Sequence, residues 1–249
     1  MKLQRAIHEA HWRECYKHGA PERQQDFSGD SSVVSTTRES ERADLFDSTA
    51  AESVQLLVAS IMSGVTPSNS LWFKAVPDGI DDMAEITEGE RWLEDVCQFM
   101  WRNIHAANFD SEAPETVTEV TVAGWGVIFT DIDRKAGGGY VFESWATGDC
   151  FIGSTRADGI VDTIYREHSM TAEAMVSEYG EKNCHHSVVE AASNKPDSRY
   201  KILYVIRPRR QKGAGQLNKD MPFASYHIDI DNKHMLKESG FHEFPCACP

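Results

Sequence analysis

The 249-residue chain contains no apolar run of the roughly 18 residues needed for a membrane-spanning helix. Its opening, MKLQRAIHEAHWRE, breaks every apolar stretch with charge and does not read as a signal peptide. Cysteine is sparse. Cys15, Cys97, Cys150 and Cys184 are widely separated and only Cys246 and Cys248 lie close together. That spacing gives no disulfide framework, and without a secretory signal the expectation is reduced thiols in an intracellular product. Signatures of chemistry are missing too. No G-x-x-x-x-G-K-[ST] loop is present, and Gly137-Gly138-Gly139 lacks the strand-to-helix setting of a phosphate cradle. No G-x-S-x-G elbow occurs, and His168 next to Ser169 is a neighbour pair that cannot face itself as nucleophile and base. Adjacent Cys184-His185-His186 cannot easily converge on one tetrahedral ion, so it reads as a solvated loop. His227, Asp229 and Asp231 alternate along one strand face and read as a solvated hairpin edge rather than a cation site. No catalytic, cofactor-binding or metal-ligating residue is assigned, and a non-enzymatic protein is expected.

Positive charge is also scarce, with 25 Lys and Arg against 39 Asp and Glu, a formal charge of −14. A field of that sign disfavours non-specific coating of nucleic acid. The remaining composition, 41% hydrophobic and 26% charged, belongs to a folded chain with enough length to bury a core. The charges are unevenly placed. Residues 78–119 carry twelve acidic side chains against Arg91 and Arg102, whereas residues 199–219 carry seven basic and no acidic ones. Separated zones of opposite sign suit either self-association or different partners at different ends of the molecule.

Periodicity supplies the elements. Leu3, Ala6, Ile7 and Ala10 predict a helix to about Lys17, stopped before Gly19 and Pro21. Residues 22–41, rich in Ser and Thr, read as a linker or arm. Thr49-Ala50-Ala51-Glu52 fits a capping box opening a helix whose apolar stripe is Val54, Leu57, Val58, Ile61 and Met62, ended by Gly64 and Pro67. Trp72 and Phe73 form an apolar plug expected in the core. A second helix is predicted from about Gly89 to Ala107, with Trp92, Val96, Phe99, Met100 and Ile104 on its buried side and acids leading it. Residues 114–123 carry both β-branched content and helical spacing, and their pattern alone leaves strand and helix open. Strands at 125–132, 140–146, 149–154 and 160–167 predict an antiparallel meander, turned by the triple glycine and by Asp158-Gly159. A short helix follows at Thr171–Tyr179 and closes at Gly180; a polar loop then runs to Ser198. Lys201–Ile206 reads as a buried strand and Tyr226, Ile228 and Ile230 as one face of a half-exposed strand. Between these strands, RPRRQKGAGQLNKDMP reads as a long loop, because Pro208 removes a ladder donor and the arginines repel.

Four ordered stretches carry a family resemblance. Residues 47–73, DSTAAESVQLLVASIMSGVTPSNSLWF, resemble the signature of podovirus-type bacteriophage portal proteins, the head-to-tail connectors. Trp92-Leu93 with Asn108-Phe109, residues 158–172, and Gly240-Phe241-His242-Glu243-Phe244-Pro245 match the same family in order. The resemblance implies a helix over 114–123. It also implies an α+β fold, a portal-like wing with helices packed on an antiparallel meander, then a short stem helix and a clip-like β-hairpin. On this reading residues 1–41 are an N-terminal helix and polar arm, 42–168 a wing-like domain, 169–198 the first stem segment and loop, and 199–249 a clip-like region. The family continues beyond this point, so the chain is expected to be an N-terminal fragment or a split gene product. The implied role is structural: a subunit of a ring, usually dodecameric, at the unique capsid vertex of a virion made in the host cytoplasm. Double-stranded DNA would pass through that ring during packaging and ejection. Expected partners are further copies of the chain, the terminase large subunit, tail adaptor proteins, and capsid and scaffold proteins, with no membrane and no cofactor. Arg207, Arg209, Arg210 and Lys212 are the expected partner-contact residues. Val54, Leu57, Val58, Ile61, Trp72, Phe73, Trp92, Val96 and Met100 are expected in the core. Another virion structural protein, or a nucleic-acid-binding module using the basic 199–219 segment, are the alternative readings.

Overall fold

Alternation of helix-forming and β-branched stretches along the chain translates into two separate sheets with helices attached to each. A computed structural model describes residues 2–23, 45–76, 87–132, 138–210 and 217–249. The helices are α1 Lys2–Gly19, α2 Thr49–Val65, α3 Thr87–Ala106, α4 Phe109–Ala123, α5 Ala172–Tyr179 and α6 His186–Asn194. The strands are β1 Val127–Ile132, β2 Tyr140–Trp145, β3 Cys150–Gly153, β4 Thr163–Thr171, β5 Arg199–Pro208, β6 Phe223–Asp229, β7 His234–Phe241 and β8 Cys246–Ala247. The α+β class expected from the sequence is the class observed. Residues 114–123 are helical, as the family resemblance implied. Most of the 22–41 arm lies outside the described residues, as do Gly137 and Lys212.

The chain divides into two compact units. In one, residues 2–10 join 147–245; in the other, residues 11–23 and 45–146 join 246–249. The unit containing 45–146 holds α2, α3, α4 and a sheet of order β2-β1-β8. Here α2 lies along α4, and a methyl group on Gly19 at the end of α1 would touch both Val54 of α2 and Val122 of α4. The buried carboxylate of Glu119 on α4 accepts a 2.5 Å hydrogen bond from the Tyr16 hydroxyl, while Arg23 pairs with Glu115. Within this unit the part of α1 from residue 11 onward is held by the buried Tyr16, whereas Ala6, Ile7 and Ala10 of the predicted apolar spacing are exposed.

The other unit is built on a five-stranded antiparallel sheet of order β3-β4-β5-β6-β7. The predicted single meander is therefore split. A helical turn at Thr147–Asp149 redirects the chain, and β3 pairs with β4 instead of β2. The Asp158-Gly159 turn sits inside a longer loop. Buried Asp162 holds that loop by accepting from the Thr155 amide (2.9 Å) and hydroxyl (2.5 Å) and from the Thr163 hydroxyl (2.9 Å). Strand β4 consequently starts later than predicted and runs to Thr171, whose side chain caps α5 by accepting from the Ala174 amide. The predicted polar loop after Gly180 contains α6, capped by the His185 ring, and Val188 of α6 is fully buried. Two short helices, α5 and α6, cover one face of the sheet through Ala172, Met175, Tyr179, Val188, Ile202 and Leu236.

Candidate partner-contact surface

The basic segment that the sequence singled out divides on folding. Strand β5 extends through Arg207 and Pro208, which pair with Ala224 and Phe223 of β6, so the predicted loop starts two residues later than expected, while Arg209 and Arg210 are not strand. Pairing of β5 with β4 ends at Ile206, and the donor that proline lacks falls beyond the last rung on that side. Arg209 is not a mobile contact residue. Its Nε donates to the Met221 carbonyl (3.1 Å), Nη1 to the Tyr226 hydroxyl (3.3 Å) and the Glu238 carboxylate (3.0 Å), and Nη2 to the Ser239 carbonyl (2.9 Å). Only 11% of its side chain is exposed. It clamps the ends of β6 and β7 together. Nothing in the local sequence announces those partners, because they arrive from residues 12 to 30 positions away.

Arg207 and Arg210 remain exposed, and among the described residues neither has an ionic partner. They line a cleft with Ser154, Thr155 and Tyr165. This is the portion of the predicted contact set that the fold presents outward.

The predicted core residues also separate. Val58 is buried; Val54, Ile61, Trp72, Phe73 and Val96 are half-buried. Leu57 is 49% exposed, Met100 40% and Trp92 65%, which removes these three from the core; Phe99, also predicted on the buried side of α3, is 67% exposed. The reason is rotational. Helix α3 turns Cys97 inward, where its sulfur accepts from the Ala75 amide at 3.2 Å, and the Trp92-Phe99 stripe therefore points away. Trp72 instead stacks on Phe109 at a centroid distance of 6.1 Å and donates its indole N–H to His105 Nε2 at 3.3 Å.

Of the predicted solvated set His227, Asp229 and Asp231, only Asp231 is exposed. Asp229 is fully buried and accepts from the Asn232 amide (3.1 Å) and side chain (2.7 Å). The His227 ring stacks on Tyr204 at 4.0 Å and its Nδ1 lies 3.0 Å from the Tyr179 hydroxyl. Burial, reinforced by Lys237, His168 and Arg166, pushes the His227 pKa down to about 3, and burial raises that of Tyr179 to about 12. A shift in β6 register between His227 and Ile228 breaks the simple alternation the sequence suggested. Among the described residues no group of three or more His, Cys, Asp or Glu is placed to hold a metal ion, and no helix is long and apolar enough to cross a membrane.

Folding leaves Trp92 and Phe99 exposed on α3, and Arg207 and Arg210 exposed with no ionic partner among the described residues. The model of the family described as bacteriophage head to tail connecting protein matches residues 1–249, and the chain belongs to that family. It is 26% identical over 258 aligned residues to the portal protein of Salmonella phage epsilon15, and 22% identical over 255 to the probable portal protein of Bordetella phage BPP-1. Both alignments cover all of this chain and 44% of the relative, so the chain spans less than half the length of the curated relatives it matches.

Proposed function

We propose that this chain is the N-terminal part of a portal subunit: a structural element of the ring at one capsid vertex through which DNA enters and leaves. The observation that carries this reading is the end-to-end alignment of residues 1–249 with portal proteins of two phages and with the connector family. The physical features agree with it. A chain of net charge −14 does not grip a sliding polyanion, whereas a basic wall would hold DNA by releasing its counterions. Zones of opposite charge suit head-to-tail packing of identical subunits.

On this reading the wing, stem and clip assignments (42–168, 169–198 and 199–249) describe parts of the ring, and the Arg207–Arg210 cleft is a protein contact. Terminase, tail adaptor, capsid and scaffold proteins are its proposed partners, and the virion vertex its place. Catalysis is not part of the role, and purified protein should show no ATP hydrolysis that a single substitution abolishes. The test of function is genetic. A phage lacking this gene product should accumulate heads without packaged DNA, and supplying the product in trans should restore packaging. Full heads in its absence would refute the reading.

A further inference from the structure

Pairing in the five-stranded sheet sets side chains in rows across one face. Phe151, Tyr165, Val205 and Tyr226 stand abreast on β3, β4, β5 and β6. The next row on that face carries Gly153, Thr163, Arg207 and Ala224, so Arg207 is its only long side chain. A cleft of about 480 Å³ opens over this row, lined by Ser154, Thr155, Tyr165, Arg207 and Arg210 among others. Among the described residues, its lining holds no carboxylate. The acids nearby in the chain and sheet are committed elsewhere. Asp158 pairs with Arg156, Asp162 accepts from Thr155 and Thr163, and Glu238 accepts from Arg209. Among the described residues, Arg207 and Arg210 have no ionic partner and the Tyr165 hydroxyl has no hydrogen-bond partner. The cleft thus offers two guanidinium groups and a phenol to an anion from outside.

We propose that this cleft docks a short acidic peptide segment of a different protein, whose carboxylates are bound by Arg207 and Arg210. The proposal rests on reading the cleft as a protein contact, and it supplies the chemistry of the partner. Guanidinium forks match carboxylates through paired hydrogen bonds. Tyr165 adds a hydroxyl donor on a flat apolar ring, against which the carbon skeleton of a peptide can lie. Duplex DNA fits less well. Two guanidinium groups neutralise about two phosphates, which gives a weak hold that salt removes. A short segment with few carboxylates meets mainly the local field of the cleft, whereas a duplex brings its charge against the whole molecule of net charge −14.

Fluorescence anisotropy tests it, with a labelled decapeptide of alternating glutamate and serine titrated with the 249-residue chain. The acidic peptide should bind, and its glutamine counterpart should not. Arg207→Ser with Arg210→Ser should weaken binding about tenfold or more, and Tyr165→Phe about threefold. Lys182→Ser with Lys195→Ser removes the same charge elsewhere in this unit and should leave binding unchanged. Thermal melting checks that each variant is folded. No binding of the acidic peptide, or equal losses in the arginine and lysine variants, would overturn the proposal. So would displacement of the peptide by inorganic phosphate at equal concentration, which would leave only a simple anion site. A 20-base-pair duplex that binds more tightly than the peptide through the same two arginines would assign the cleft to nucleic acid instead. Self-association of the parent that is lost in the arginine variant would assign it to a second copy. Any of these results leaves the portal reading standing, because that reading is decided separately by whether heads lacking the gene product fill with DNA.

Discussion

Replacing Arg209 with alanine removes four hydrogen-bonding interactions at once, to Met221, Tyr226, Glu238 and Ser239, and leaves Glu238 without its cation. Because the side chain is nearly covered, the expected cost is about 2–4 kcal/mol in urea unfolding. Arg207→Ser and Arg210→Ser, at exposed positions, should stay within about 0.5 kcal/mol of the parent. Equal destabilisation by all three would contradict the division between clamp and contact residues. His227 gives a pH signature. Its folded pKa of about 3 lies below the ordinary value near 6.5, so between those limits the unfolded chain binds the extra proton. The resulting stability is fully present above about pH 6.5 and is lost as pH falls toward 3. His227→Gln, which keeps a neutral polar partner for Tyr179, should flatten the fall in stability between about pH 6.5 and 4, measured as the difference from the parent. An unchanged slope would show that the ring is not held neutral. At this scale the sequence was least legible. Charge identified the 207–210 cluster, but the partners that turned Arg209 inward come from distant strands, and the His227 environment depends on a register shift no local pattern encodes.

Elements were more readable than their orientations. Capping and spacing located α2 and α3, yet helical periodicity reports only that apolar residues share a face, not which face meets the core. At the start of α2 the cap differs from the expected box: Asp47 accepts from the Thr49 amide (2.9 Å) and hydroxyl (2.6 Å), and Ser48 rather than Thr49 bonds Glu52. Those bonds to Thr49 lower the Asp47 pKa. Helix α6 escaped because its apolar pattern, Val188 to Ala192, covers only about one and a half turns beneath a polar composition. Along α2, Leu57→Ala should cost about 1 kcal/mol, while Val58→Ala, at a buried site, should cost about 2 kcal/mol despite deleting fewer atoms. The reverse order in thermal melts would place the stripe inward after all. Gly240 explains part of the motif at residues 240–245. A methyl group there would stand 2.4 Å from the Asn218 carbonyl and 2.7 Å from that of Phe223, so the turn at Asn218–Asp220 can close on β7 only over a glycine. Gly240→Ala should therefore destabilise by about 2–3 kcal/mol, since backbone rather than a flexible side chain must move.

For the whole molecule, charge segregation was legible from counting residues, and among the described residues Glu90, Glu94, Arg207 and Arg210 have no ionic partner. The division into two units was not legible. It depends on the chain crossing from one sheet to another at Thr147–Asp149 and on Cys246–Ala247 joining β1 after the second sheet is complete. The family was recognisable because its motifs occur in order along the chain, which no composition or periodicity could have supplied. The claim that this chain is part of a portal is tested most directly by symmetry-relaxed cryo-electron microscopy of the phage head with the 249-residue chain carrying a small epitope label. The account predicts labelled density confined to one vertex, arranged as a single ring whose subunits accommodate both units described above. Label spread over many vertices or along the tail, or a one-vertex ring without it, would contradict the account.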